Sequence, residues 1–125
     1  DENIFMYFED QDWCRRMVLA GWKIFYSPDY TITHISYGSR LNDASHIYDY
    51  ITAQSELYYY SKYHTPWQSR LRRYSMLFHH GQCLLTYGLR LKFFSSKELQ
   101  RKFNSHYAMY AAHKSFNGIP TKPNL

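Results

Sequence analysis

The sequence predicts an α+β chain that is mainly α-helical, with short β-strands at its N-terminal end and about three helices after them. Three observations predict it. Apolar and aromatic runs at Ile4–Phe8 and between Lys23 and His34 have the lengths and spacings of strands. Beyond residue 42 the apolar residues recur at helical intervals, bounded by capping and breaking residues. Charge divides nearby as well: residues 1–56 hold nine of the ten acids and carry −5, whereas residues 57–125 carry +10, so the overall +5 conceals two unlike zones.

Each element has its own warrant. The run Ile4–Phe8 suits a buried strand. The helix after it starts at Glu9 or Asp10, because carboxylates there accept from free N–H groups and meet the positive end of the helix dipole. Gly21 is a good residue to end it. Trp13, Met17 and Ala20 form the expected inward face, with Cys14 and Val18 beside it and Arg15 and Arg16 pointing elsewhere. Lys23–Ser27 is β-branched and aromatic, Pro28 and Asp29 interrupt it, and Tyr30, Ile32 and His34 alternate with Thr31 and Thr33 as in a half-buried strand. A loop, Ser36-Tyr37-Gly38-Ser39-Arg40, follows.

The second zone is helical. Asn42 or Asp43 caps a helix to about Tyr63, with Ile47, Tyr50, Ile51, Leu57, Tyr58 and Tyr60 available for packing. Thr65-Pro66 breaks it and Trp67 opens the next. In that helix Trp67, Leu71, Tyr74, Phe78, Leu85 and Leu89 share a narrow stripe, while Gly81 and Gly88 weaken it and mark a kink. Ser95-Ser96-Lys97-Glu98 has capping spacing, placing a last helix from about Ser96 to Ser115, ended near Asn117-Gly118. The organisation expected is therefore residues 1–41 as one unit, 42–118 as a basic helical region, and 119–125 as a disordered tail.

Three acids in four positions, Glu9, Asp10 and Asp12, stand where a strand turns into a helix, a common place for catalytic groups in α/β enzymes. On position alone they read equally as helix caps. The string M-Y-F-E-D-x-D-x-C-x-R, followed by A-G-W, P-D and a His, resembles the second half of the catalytic domain of family 2 glycosyltransferases, and is most similar to the rhamnosyltransferase-like bacterial members that build surface polysaccharides. The resemblance spans residues 1 to about 64 and is only compositional beyond. Trp13 stands where Leu is usual, and Ser36-Tyr37-Gly38 where the loop is commonly richer in glycine. The Gln-x-x-Arg-Trp signature of processive synthases is absent, which favours transfer of a single sugar.

The resemblance implies an inverting, metal-dependent enzyme of the GT-A fold. Asp10 would be the general base that takes the acceptor proton and Glu9 its neighbour in positioning the acceptor. Asp12, structural or acceptor-binding, and Trp13 would lie on the acceptor side. His34 would help hold a divalent metal, Mg2+ or Mn2+, and Ser39 and Arg40 would contact the donor diphosphate. The chemistry suits these residue types, since a sugar hydroxyl needs a carboxylate within reach and a diphosphate leaving group needs cationic help. The plainer alternatives are a locally satisfied His34 and a solvated loop Arg40. Because the GT-A fold also needs a nucleotide-binding half with a D-x-D-like metal site, the chain is expected to be the C-terminal fragment of such an enzyme. Alone it would be inactive, with no metal bound, and would dimerise through exposed strand edges. The partners implied are a nucleotide-sugar donor and a glycan acceptor.

The basic zone suggests a polyanionic partner. Residues 67–94 combine an apolar stripe, Arg and Lys flanks and Trp or Tyr edges, as an interfacial helix on an anionic membrane does; a helix that covers the catalytic domain would look the same. With no run near the ~20 apolar residues of a spanning helix, the expected location is cytoplasmic, peripheral on the inner face of the bacterial plasma membrane. The alternative function is a basic helical module that binds nucleic acid or membrane without catalysis, which leaves the acidic cluster unexplained. A purely structural or oligomerisation domain is a third. Cys14 and Cys83 are far apart in sequence, and the seven histidines, His79-His80 among them, form no C-x-x-C or H-x-x-x-H frame that would support structural zinc.

Overall fold

The structure, a computed structural model, describes residues 1–33 and 45–120. Four helices make up the regular structure of these described residues: α1 (Glu9–Leu19), α2 (Ser45–Tyr63), α3 (Pro66–Phe93) and α4 (Lys97–Ser115). No β-strand occurs among the described residues, which corrects the α+β expectation. Ile4–Phe8 is irregular, bending at residues 6–8 into α1, and residues 22–33 run irregularly with every residue exposed. A strand exists only through the ladder it makes with a neighbour, and β-branched or aromatic composition supplies none. Phe25, Tyr26, Tyr30 and Ile32 therefore have strand-like character and no strand.

The helices end where their chemistry says they should. After α1, Gly21 takes φ 85°, and the N–H groups of Gly21 and Trp22 reach back to the carbonyls of Val18 and Met17, both at 3.0 Å. This is the paired closing pattern that a left-handed residue makes possible. Thr65 starts α3 with a reciprocal cap: its hydroxyl accepts from the Gln68 N–H, the Gln68 side chain accepts from the Thr65 N–H, and Pro66 occupies the first turn. Ser96 caps α4 through the Leu99 N–H, one residue later than the Ser95–Glu98 spacing implies, although the helix begins where expected. Asn42 and Asp43, the caps expected for α2, lie outside the described residues, as does most of the 119–125 tail.

Helix α4 lies along both α2 and α3, which touch each other far less. Ile51, Ala53 and Leu57 of α2 and Leu99, Ala108 and Ala112 of α4 are buried, together with Ile4 of the N-terminal segment. The small Ala residues let α4 approach closely. Polar groups join this core under hydrogen bonds: buried Gln54 donates to the Ala112 carbonyl at 2.9 Å, and Arg73 donates to the His113 and Lys114 carbonyls at 2.8 and 3.0 Å, covering the negative end of α4. Gly81 and Gly88 do not interrupt α3.

Large apolar side chains stand on the outward faces of α1 and α3. Of the stripe expected to face inward on α1, Trp13, Val18 and Ala20 are exposed while Cys14 and Met17 are half-buried, so only part of it meets the fold. The side that meets α2 is the charged one, carrying Asp12 and Arg15. Two bonds from α2 to one buried carboxylate outweigh the sequence pattern here. On α3, Trp67, Leu71, Tyr74, Phe78, Leu85 and Leu89 form an exposed row, from 49% to 70% open to solvent.

Candidate functional site

The α1 acids separate by role as soon as the helix docks. Tyr7 and Phe8, just before them, both adopt left-handed backbone, with φ 62° and 65°. For side chains of this size that conformation costs on the order of 1–2 kcal/mol per residue. The bend swings α1 onto the C-terminal end of α2. Met6, on the approach, accepts through its carbonyl from the Ser55 hydroxyl at 2.8 Å, and the Phe8 ring lies 5.6 Å from that of Tyr59.

Asp12 is the anchor. It is fully buried and accepts from Lys62 Nζ at 2.7 Å, the Tyr63 hydroxyl at 2.7 Å and Arg16 Nε at 2.8 Å. Burial desolvates the carboxylate and by itself would raise its pKa, but the hydrogen bonds from Lys62, Tyr63 and Arg16 outweigh that and hold it at about 2. Lys62 is also shared with Asp1 Oδ2 at 2.6 Å. Arg15 adds a second tie, its guanidinium 4.5 Å from the centre of the Tyr63 ring.

Glu9 and Asp10 stand differently. Both are exposed in the first turn of α1. Asp10 Oδ1 accepts from the Gln11 N–H at 2.8 Å, a local bond that holds the carboxylate at the helix start. Trp13 is exposed beside them. The arrangement brings two accessible carboxylates and an accessible indole to one helix end, with the third acid withdrawn into the fold. Such a surface can accept a proton from, and stack on, a polyhydroxyl ligand. His34, Ser39 and Arg40, expected at the metal and the diphosphate, lie outside the described residues.

A second cluster, which the sequence did not disclose, lies between α3 and α4. His79, Cys83 and His106 each bring one ligand atom to within 4.8 Å of the others. His79 Nε2 and Cys83 Sγ are 3.8 Å apart, one helical turn from each other. His80, buried beside them, shares a hydrogen bond with His106 between their Nδ1 atoms at 3.0 Å. Desolvation, followed by the neighbouring His113, His106 and His79, lowers the His80 pKa to about 4, so His80 is neutral near pH 7. Tyr87 stacks on the other face of this group, its ring 5.4 Å from His106.

His113 completes the buried histidines. Its Nδ1–H donates to the Met109 carbonyl at 2.8 Å, and its Nε2 is a buried nitrogen without a hydrogen-bond partner among the described residues. Burial pushes its pKa down, which keeps that nitrogen unprotonated. The signal legible in sequence was the i, i+4 spacing of His79 and Cys83, which places both on one face of a helix. His106, from another helix, follows only from how α4 packs. No family model, curated protein or solved structure matches the chain.

Proposed function

We propose that this chain supplies the acceptor-activating part of an inverting, metal-dependent glycosyltransferase similar to family 2, as the C-terminal piece of a longer enzyme. It would move one sugar, rhamnose in the members it most resembles, from a nucleotide-sugar to a hydroxyl of a polysaccharide or lipid-linked glycan. The observation that carries the reading is the division of labour among the three acids. Asp12 is consumed by structural bonds, while Asp10 and Glu9 are left accessible on a helix fastened by it.

In this reading Asp10 takes the proton of the acceptor hydroxyl as its oxygen attacks the anomeric carbon. The bond from that carbon to the diphosphate breaks, and its electron pair leaves with the nucleoside diphosphate. Glu9 orients the acceptor and Trp13 offers its indole face to the sugar. A Mg2+ or Mn2+ ion, held in part by His34, would balance the charge of the diphosphate, with Ser39 and Arg40 contacting its oxygens.

The test is Asp10→Asn in the complete enzyme that carries the nucleotide-binding half. Transfer should fall by roughly 100-fold or more while donor binding changes little, because only the base is lost. Near-normal turnover would refute the assignment. Glu9→Gln should be milder, and the reverse order would exchange the two roles.

No helix among the described residues is long and apolar enough to cross a membrane. The proposed location is cytoplasmic, peripheral on the inner face of a bacterial plasma membrane. The exposed α3 row supports it, because Trp67 stands at one end and Phe93 at the other, with Arg70 and Lys92 exposed on the same helix. Sedimentation with vesicles of anionic phospholipid should carry the chain down, and Phe78→Glu should abolish this. Binding to neutral vesicles alone, or none, would refute the membrane contact.

A further inference from the structure

We propose that His79, Cys83 and His106 form a zinc site that clamps the middle of α3 to α4. The geometry comes first. With Zn–S near 2.3 Å and Zn–N near 2.0–2.1 Å, the donors of a tetrahedral centre lie about 3.3–3.6 Å apart. His79 Nε2 and Cys83 Sγ are already 3.8 Å apart, and all three donor atoms lie within 4.8 Å of one another. Closing onto an ion therefore takes side-chain movements of about 1 Å and no change of backbone.

The chemistry of the donor set selects the ion. One thiolate with two imidazoles suits Zn2+ and disfavours Mg2+ and Mn2+, which take oxygen ligands. This site is thus distinct in kind from the metal of the transfer reaction and does not rest on that reading. On binding, the Cys83 thiol forms its S–Zn bond as a thiolate and its proton passes to solvent.

The surroundings are those of a ligand set with outer support. His80 is buried and bonded Nδ1 to Nδ1 with His106, so one ring donates and the other accepts. That bond fixes the orientation of the His106 ring, as an outer partner does for a metal-bound histidine, and Nε2 would be the nitrogen offered to the ion. Tyr87 holds the same ring by stacking. Entry is open, because His79 is exposed while Cys83 and His106 are half-buried. Three protein ligands leave a fourth position for water. The clamp joins two helices whose ligands are separated in sequence by the C-terminal part of α3, the connection and the first half of α4, so occupancy would stabilise their packing by mass action.

Cobalt titration of the chain, stripped of metal and kept reduced, tests this. The expected result is one equivalent of Co2+ bound per chain, with the intense visible bands of a tetrahedral ion and a near-ultraviolet thiolate charge-transfer band, both erased by one equivalent of Zn2+. Cys83→Ser should remove the charge-transfer band and weaken zinc binding at least about tenfold, the loss that even an outer partner's removal brings. His79→Gln, at an exposed position that threatens no folding, should weaken it similarly, and Cys14→Ser should change nothing. Absence of the thiolate band in the unsubstituted chain overturns the proposal. So does zinc affinity unchanged by both Cys83→Ser and His79→Gln.

Discussion

Replacing Asp12 with Asn should release α1 while leaving the α2–α4 packing in place. Two routes give the size of the effect. The pKa difference between 3.8 and about 2 corresponds to roughly 2.5 kcal/mol of preference for the bonded carboxylate. Independently, breaking a buried ion pair costs about 3–5 kcal/mol when the surviving charge has no other partner. Here Lys62 retains Asp1 at 2.6 Å and the Arg16 side chain is 48% exposed to water, so the cost falls near or below the lower limit. Both routes lead to about 2–3 kcal/mol. Because Asp12 supplies the two shortest polar bonds from α1 to α2, with Arg15 making two longer ones, the loss should appear as local opening rather than global unfolding. Hydrogen exchange followed by mass spectrometry should show α1 amides exchanging roughly 50-fold faster, with Ile51–Leu57 and Ala108–Ala112 unchanged. Asp10→Asn, at an exposed position, should stay within about 0.5 kcal/mol of the parent chain. The pH dependence follows in sign: a carboxylate whose folded pKa is depressed contributes fully above its unfolded value near 4, and the contribution is lost as pH falls through about 2. Protection of α1 should decline over that window. Unchanged α1 exchange in Asp12→Asn would refute the anchoring role.

Other outcomes follow from the packing. Gly88→Ala should stabilise α3 by about 0.5–1 kcal/mol, since the added Cβ meets Phe103 at 3.5 Å, an ordinary contact; thermal melting monitored by circular dichroism checks the sign. Ala112→Leu should do the opposite, lowering global stability by about 1–3 kcal/mol, because Ala112 is wholly buried and Gln54 bonds its carbonyl. A loss confined to one helix would argue against a single α2–α4 core. Light scattering at micromolar concentration should show self-association through the exposed apolar surface of α1 and residues 22–32, and a dilution-independent monomer would refute it.

Local chemistry was legible in the sequence wherever it depends on neighbours along the chain. The end of α1 before Gly21 and the break at Thr65-Pro66 follow from capping and backbone preferences within four residues, and the start of α1 at Glu9 and the bounds of α4 fall where the sequence placed them, although no side chain caps α1 at Phe8 and α4 ends on an extended Phe116. The amphipathic row on α3 was legible too, as a pattern. Whether that row is covered was not, because periodicity defines a face without naming what lies opposite. The same gap explains the strands: the runs at Ile4–Phe8 and residues 23–33 have the composition of strands, but pairing is a property of two segments, and among the described residues no second segment comes alongside. It explains α1, where Trp13 and Val18 face outward because Lys62 and Tyr63, some fifty residues on, fix Asp12 from the other side. His79 and Cys83 were one turn apart by arithmetic, yet only the seating of α4 against α3 brings His106 to them. What the chain determined alone was where helices begin and end; what required the tertiary structure was which of their faces meet, since burial and ligand geometry are set by residues distant in sequence.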